Sequence, residues 1–348
     1  MDSKSRVSVP LKLTAVSNKP AEPGKTHPLS ALDHAMGLHS LHIIFYYRKY
    51  PTGSGDSNQF DLDWLRGSLS EALSLYPTVT GRLTRGEDGN WMVKCNDAGV
   101  RILRAKVGTT LDEWLRSADA AEERDLMMWE DMPEDPSIWS PFRIQINDFE
   151  GGGAAIALSC SHMHADPTNA TMLFKSWTEV HRREPISHPP FYNPPAFGGR
   201  GRPVANIDTK SANYYAAKSK AKTPTVKMAT ATFKFSEAII KQCLSRVHDK
   251  CPDATPFDLL AALFWTRVAC LKLPTHDNKS SISICIDFRK LMHAPLPYGS
   301  FGNAQHFSLL SLDAVKLDDA GLGQCGGVNP SPCVEHQGRA GFVCYRLV

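Results

Sequence analysis

The sequence predicts an α/β protein of two domains. Three observations point there. Strand-like runs and amphipathic helical runs are interleaved along the chain. Its 348 residues are enough for two domains, or for one large one. Residues 185–205 hold six prolines and several glycines, which break both helical and strand periods and read as a boundary between domains.

The elements follow in order. His39 to Tyr50 is rich in Ile, Phe and Tyr and reads as a strand. Leu62, Leu65, Leu69, Ala72 and Leu73 recur at helical spacing, so an amphipathic helix is expected over 61–75, ending before Pro77. Gly81-Arg82-Leu83 is expected to open a turn, and Trp91-Met92-Val93 to begin a strand. Phe142 to Phe149 alternates apolar and polar, as a half-buried strand does. Gly151-Gly152-Gly153 supplies a turn, and Ala154 to Cys160 is apolar enough to be a central strand. Leu173, Phe174, Trp177 and Val180 form one face of a helix that has Pro167 near its start, where a missing N–H costs nothing.

Beyond the connector, Ala229 to Phe235 alternates as a strand. Thr255 is a candidate cap, with Asp258 in the first turn, for a helix running through Leu271 that is nearly all apolar and therefore expected to be buried. Ser281 to Phe288 is a strand leading into Arg289. No internal repeat is present, which excludes solenoids. From Gly323 neither period survives, and three of the nine cysteines fall after residue 324. Residues 323–348 are expected to be an aberrant tail from a shifted reading frame or a retained intron.

A net charge of +3 is too small to argue for nucleic acid or an anionic membrane. Lys210, Lys218, Lys220, Lys222 and Lys227 gather locally and read as a solvated connector. The first sixteen residues lack the apolar core of a secretory signal, and no apolar run is long enough to span a membrane. Nine cysteines without such a signal suggest free thiols in a reducing compartment, the cytoplasm by default, and the lack of a C-x-x-C pair gives a structural zinc site little support.

The stretch richest in chemistry is Ser159-Cys160-Ser161-His162-Met163-His164-Ala165-Asp166. His162 and Asp166 are four apart at the end of an apolar strand. A histidine there, with an ordinary pKa of about 6.5, is largely neutral and can take the proton of an alcohol or amine attacking a thioester. Asp166 would then hold the loop, pairing with an arginine for which Arg289 is the candidate. The alternative is H-x-H-x-D metal binding by His162, His164 and Asp166, a hydrolase spacing in which Pro167 stands where a further histidine is usual. A third possibility is that both histidines are merely polar residues at a strand end.

Other segments bear on this choice. Leu29-Ser30-Ala31-Leu32-Asp33, the stretch Leu75-Tyr76-Pro77-Thr78-Val79-Thr80-Gly81-Arg82-Leu83, Thr255-Pro256-Phe257-Asp258 with Leu263-Phe264-Trp265, Asp287-Phe288-Arg289 and Phe301-Gly302-Asn303 lie in that order around the histidine run. Together with His162-Met163-His164-Ala165-Asp166 they resemble the ordered segments of the plant BAHD acyltransferases. The resemblance implies two domains of the chloramphenicol-acetyltransferase type, with mixed β-sheets flanked by helices: 1–184 with the histidine motif, a crossover over 185–228, and an incomplete second domain over 229–348. It implies His162 as general base, Asp166 as a carboxylate paired with Arg289, and Asn303 as a further support of the site. Acyl-CoA would be a co-substrate rather than a bound cofactor, transferring its acyl group directly to a small-molecule acceptor on a monomeric protein.

Departures from the family pattern are part of the reading. Pro167 replaces the usual glycine, the D-F-G-W-G signature is absent, and the similarity stops at about Gly323. Lys227-Met228-Ala229-Thr230-Ala231-Thr232-Phe233-Lys234-Phe235 and Tyr214-Tyr215-Ala216-Ala217-Lys218 resemble the eceriferum/glossy wax branch. That branch implies an alternative role: a non-catalytic accessory protein acting with the condensing enzyme of very-long-chain fatty-acid elongation, associated with the endoplasmic reticulum through that partner.

Overall fold

The computed structural model describes residues 5–37, 39–48, 61–192, 233, 235–271, 279–290 and 296–313. The chain forms two compact units. One includes Met1–Pro224 and Leu296–Ala304, the other Thr225–Pro295 and Gln305–Cys344.

In the first unit the order is β1 (Val7–Ala15), β2 (Thr26–Pro28), α1 (Ala31–Ala35), β3 (Ser40–Tyr47), α2 (Leu62–Leu73), α3 (Pro77–Thr80), β4 (Arg82–Arg85), β5 (Trp91–Lys94), β6 (Val100–Thr110), α4 (Leu111–Ser117), α5 (Ala120–Asp125), β7 (Phe142–Glu150), β8 (Ala154–Ser161) and α6 (Pro167–His181). A five-stranded mixed sheet runs β1-β6-β7-β8-β3, in which only β6 and β7 pair in parallel; β2, β5 and β4 make a smaller sheet. The second unit contributes α7 (Glu237–Val247), α8 (Pro256–Leu271) and the antiparallel hairpin of β9 (Lys279–Asp287) and β10 (Gln305–Asp313).

The main core lies between one face of the large sheet and α2 with α6. Leu65, Leu69, Ala72 and Leu73 of α2 meet Leu173, Phe174, Trp177 and Val180 of α6 over Ile102, Ile144, Ile146 and Ile156. Phe45 of β3 stacks on Phe174 with ring centroids 4.0 Å apart. Each such side chain, fully buried, stabilises the fold by roughly 1.5–3 kcal/mol. The β7–β8 connection is the expected glycine turn, with Gly151, Gly152 and Gly153 all at positive φ, and β8 is central as expected.

Several expectations are corrected. Gly81-Arg82-Leu83 does not open a turn: Arg82 begins β4, because its guanidinium is buried and donates to the carbonyls of Gly81, Ala98 and Gly99. Strand β7 is not half-buried but covered on both faces. The segment after α5 lies over its polar side. Gln145 donates to the Asp125 carbonyl and accepts from Met128 N–H, Asn147 donates to the Leu126 carbonyl, and Arg143 pairs with Glu130 at 2.8 Å. Polar alternation thus marks a satisfied buried layer here, not a wet face. The first residues, read only as lacking a leader, include the edge strand β1.

Helix α8 starts as expected, with Thr255 Oγ1 accepting from Asp258 N–H and Asp258 Oδ2 from Thr255 N–H. It is not buried, however. Phe264 is 61% exposed and Leu259 is the one buried residue among those described in the helix. A helix apolar on all sides needs cover all round, and the described elements of its unit, two helices and a hairpin, are too few to give it. Cys95, Cys160, Cys243 and Cys285 are free thiols, whereas Cys251 stands in a disulfide, against the expectation of free thiols throughout. Spatial proximity, which sequence spacing does not report, decides that pairing. The expected tail 323–348, most of the 185–228 crossover and most of the expected strand 229–235 lie outside the described residues.

Candidate active site

The histidine run sits where β8 ends and α6 begins. The turn closes with His164 N–H donating to the Ser161 carbonyl at 3.0 Å, and Ser161 N–H is tied to the Pro141 carbonyl at 2.9 Å. Asp166 is the N-cap of α6: Oδ1 accepts from Asn169 N–H at 2.9 Å, and Pro167 occupies the first helical position. A proline there needs no donor partner and pre-sets φ, so the departure from the family glycine is accommodated by the helix start itself.

His162 is held through its main chain on both sides. Its N–H donates to the His39 carbonyl at 2.8 Å, and its own carbonyl accepts from Asn303 Nδ2 at 2.7 Å. Asp166 uses its second oxygen, Oδ2, to accept from Ala304 N–H at 3.0 Å. Both its oxygens therefore bind main-chain amides.

The segment carrying Asn303 is gripped at several points. Asn169 donates to the Ser300 carbonyl at 2.7 Å and accepts from Gly302 N–H at 2.8 Å. Asp33 Oδ1 accepts from both the N–H and Nδ2 of Asn303 at 2.8 Å. Phe301 enters the main core, its ring edge-on to Tyr76 at 5.5 Å. Gly302 has φ of +127°, a conformation that side chains with a Cβ avoid. At Gly299 a Cβ would stand 2.1 Å from the Pro189 carbonyl oxygen. Gly299 lets this segment pass against the Pro189 main chain, and Gly302 lets it turn toward Asn303.

The neighbours of His162 have structural duties. Met163 packs into an apolar cluster with Leu83, Val93 and Trp139. His164 is buried edge-on to Phe142, and neither ring nitrogen has a hydrogen-bond partner among the described residues. Burial, with repulsion from the guanidinium of Arg82 and a smaller effect of His27 when that ring is protonated, pushes its pKa down to about 3, so it stays neutral. Burial also lowers Arg82 to about 10, with Arg101 and Arg143 adding repulsion. Among the described residues no three His, Cys, Asp or Glu side chains converge as metal ligands.

His162, Asp166 and Asn303 are thus brought together, while Arg289 belongs to the second unit, where Nη1 pairs with Asp287 at 3.0 Å. Sequence reasoning missed Asp33 and Asn169 as parts of the site. Ser30 and Asp33 carried a signal, since S-x-x-D at a helix start forms a capping box, which the structure contains.

Residues 9–328 match the model of the Transferase family. A hydroxycinnamoyltransferase of Narcissus pseudonarcissus is 26% identical over 89% of this chain and 72% of its own length. Protein ECERIFERUM 26-like of Arabidopsis thaliana is 25% identical over 74% of this chain, and the chain spans only 60% of that relative. Shikimate O-hydroxycinnamoyltransferase of Nicotiana tabacum is 25% identical, with 61% of its length covered. Among solved structures, vinorine synthase aligns over 92% of this chain and 77% of its own with a TM-score of 0.65 at 18% identity. TRI101 of F. graminearum, solved with coenzyme A and T-2 mycotoxin, aligns over 84% and 71% with a TM-score of 0.63 at 13% identity. These likenesses establish the two-domain chloramphenicol-acetyltransferase-like fold.

Proposed function

The chain belongs to the Transferase family, the BAHD acyltransferases, and from that premise we propose that it moves an acyl group from acyl-CoA to the hydroxyl or amine of a small acceptor, with His162 as general base. The observation that supports this is the two-sided main-chain clamp on His162 at the end of β8, between His39 and Asn303. His162 would take the proton from the acceptor as its oxygen or nitrogen attacks the thioester carbonyl. The tetrahedral intermediate then collapses, the C–S bond breaks, and the CoA thiolate recovers a proton from the imidazolium. Acyl transfer is direct, without an acyl-enzyme.

Asp166 braces the turn, and Arg289 is assigned to it as a second partner. A carboxylate accepts about four hydrogen bonds, so the two main-chain amides on Asp166 are compatible with a guanidinium as well. Residues 1–184 are assigned to the first domain, 185–228 to a crossover and 229–348 to a second domain. The protein is assigned to the cytoplasm as a monomer. No helix among the described residues is long and apolar enough to cross a membrane.

The test is turnover of p-coumaroyl-CoA with a panel of hydroxyl and amine acceptors. His162→Ala is expected to lower kcat by about 10²–10⁴. Full activity in that variant would remove His162 as base. A second reading rests on the resemblance of residues 214–218 and 227–235 to the eceriferum branch: an accessory protein that lengthens the products of a fatty-acid elongase, with endoplasmic-reticulum association through that partner. Co-expression with a condensing enzyme that leaves product chain length unchanged would sink it.

A further inference from the structure

We propose that Asp33 is a positioning residue for this reaction, fixing the orientation of the Asn303 amide and, through it, the main chain of His162. The proposal rests on the reading of His162 as the base.

Asp33 is buried, 4% exposed, and its carboxylate accepts four hydrogen bonds. Oδ2 takes Ser30 N–H and Ser30 Oγ–H, both at 2.7 Å, and Oδ1 takes Asn303 N–H and Asn303 Nδ2, both at 2.8 Å. The Ser30 pair stops the carboxylate from rotating, so Oδ1 is presented at a fixed place. A buried carboxylate without such donors would be expensive, and the four donors are what make the position tenable.

The consequence falls on Asn303. An amide side chain has two nearly isosteric orientations, which differ in whether the oxygen or the nitrogen faces a given neighbour. Only one suits this site. Nδ2 has two protons; one goes to Asp33 Oδ1 and the other to the His162 carbonyl at 2.7 Å. Flipped, the amide oxygen would face the Asp33 carboxylate and the His162 carbonyl at once, three acceptors with no proton between them. The negative charge of Asp33 therefore selects the orientation in which Asn303 donates. Asn303 Oδ1 is turned away from both and has no hydrogen-bond partner among the described residues. The chain of influence runs from α1, through a loop more than a hundred residues beyond the base, back to the peptide group of the base.

The decisive experiment is a double-mutant cycle. With p-coumaroyl-CoA as donor, Asp33→Ala is expected to lower kcat about tenfold or more, with the KM for the thioester little changed. In an Asn303→Ala background the same substitution should cost several-fold less, since the bond to the main-chain N–H of residue 303 is all that remains for it to break there. An equal loss in both backgrounds would overturn the proposal, because Asp33 would then act without Asn303. A readout that needs no substrate is proton exchange of the Asn303 side-chain amide by NMR. Its Nδ2 protons should exchange about tenfold faster in Asp33→Ala, and unchanged exchange overturns the proposal. If Asp33→Ala does not fold, Asp33→Asn passes through the same cycle. His162→Ala separates the two readings: full turnover there defeats the base assignment but leaves the amide measurement on Asp33 valid.

Discussion

The side-chain amide of Asn303 donates to the main-chain carbonyl of His162 at 2.7 Å, across 141 residues of sequence. Asn303→Ala removes that donor and takes one of the two Asn303 donors from the buried Asp33 carboxylate. Leaving a buried acceptor short of its partner costs about 1–3 kcal/mol. Urea unfolding should show a lower midpoint with an unchanged slope, and kcat should fall more than the KM for the acyl donor rises.

Gly302→Ala places a Cβ at φ of +127°, where side chains rarely go. The strain is on the order of 1–3 kcal/mol. Because Gly302 N–H also donates to Asn169 Oδ1, relaxing the backbone would pull on that bond. The variant should unfold at lower urea and lose turnover, while Gly67→Ala, in open space on α2, should do neither.

His164 predicts a pH effect. Its folded pKa, near 3, lies below the ordinary histidine value of 6.5, so the unfolded chain binds a proton that the folded one refuses. Stability from this group is complete above pH 6.5 and falls as pH drops from there toward 3. The slope is up to about 1.4 kcal/mol per pH unit. In His164→Phe, urea midpoints measured between pH 6.5 and 5 should fall less steeply than in the parent. His42, also held below its ordinary value by burial, keeps part of the slope.

Arg82 donates to the carbonyls of Gly81, Ala98 and Gly99 from a planar fork. A lysine cannot hold that geometry. Arg82→Lys should cost about 1–3 kcal/mol, read as a lower thermal midpoint, because buried carbonyls lose their donors.

Much of this was legible in the chain. The periodicity of Leu65, Leu69 and Leu73, the apolar run into Cys160 and the triple glycine before it specify α2, β8 and the β7–β8 turn through local pattern alone. So do the spacing of His162 and Asp166 and the cap at Thr255. What stayed hidden depends on distant partners. Gln145 and Asn147 read as solvent-facing because nothing local reveals the carbonyls of Asp125 and Leu126 that satisfy them. Arg82 read as a turn residue because its acceptors lie sixteen and seventeen residues away. Asp33 and Asn169 bond to residues 270 and 133 positions on, a relation that no spacing rule reaches. Helix α8 read as buried because apolar composition states what a helix needs, not what surrounds it.

Leu296–Ala304 belongs to the first unit, although β9 and β10 on either side of it in the chain belong to the second. On the ribosome this sets a clock. At about 5–20 residues per second, the 141 residues between His162 and Asn303 take roughly 7–28 s to emerge. Throughout that interval Asp33 on α1, and Asp166 and Asn169 at the start of α6, lack the partners that residues 300–304 will supply. The nascent first unit must wait with its histidine held on the His39 side alone, so slow codons or a stall downstream of residue 181 would lengthen exposure of that half-made site to proteases and chaperones.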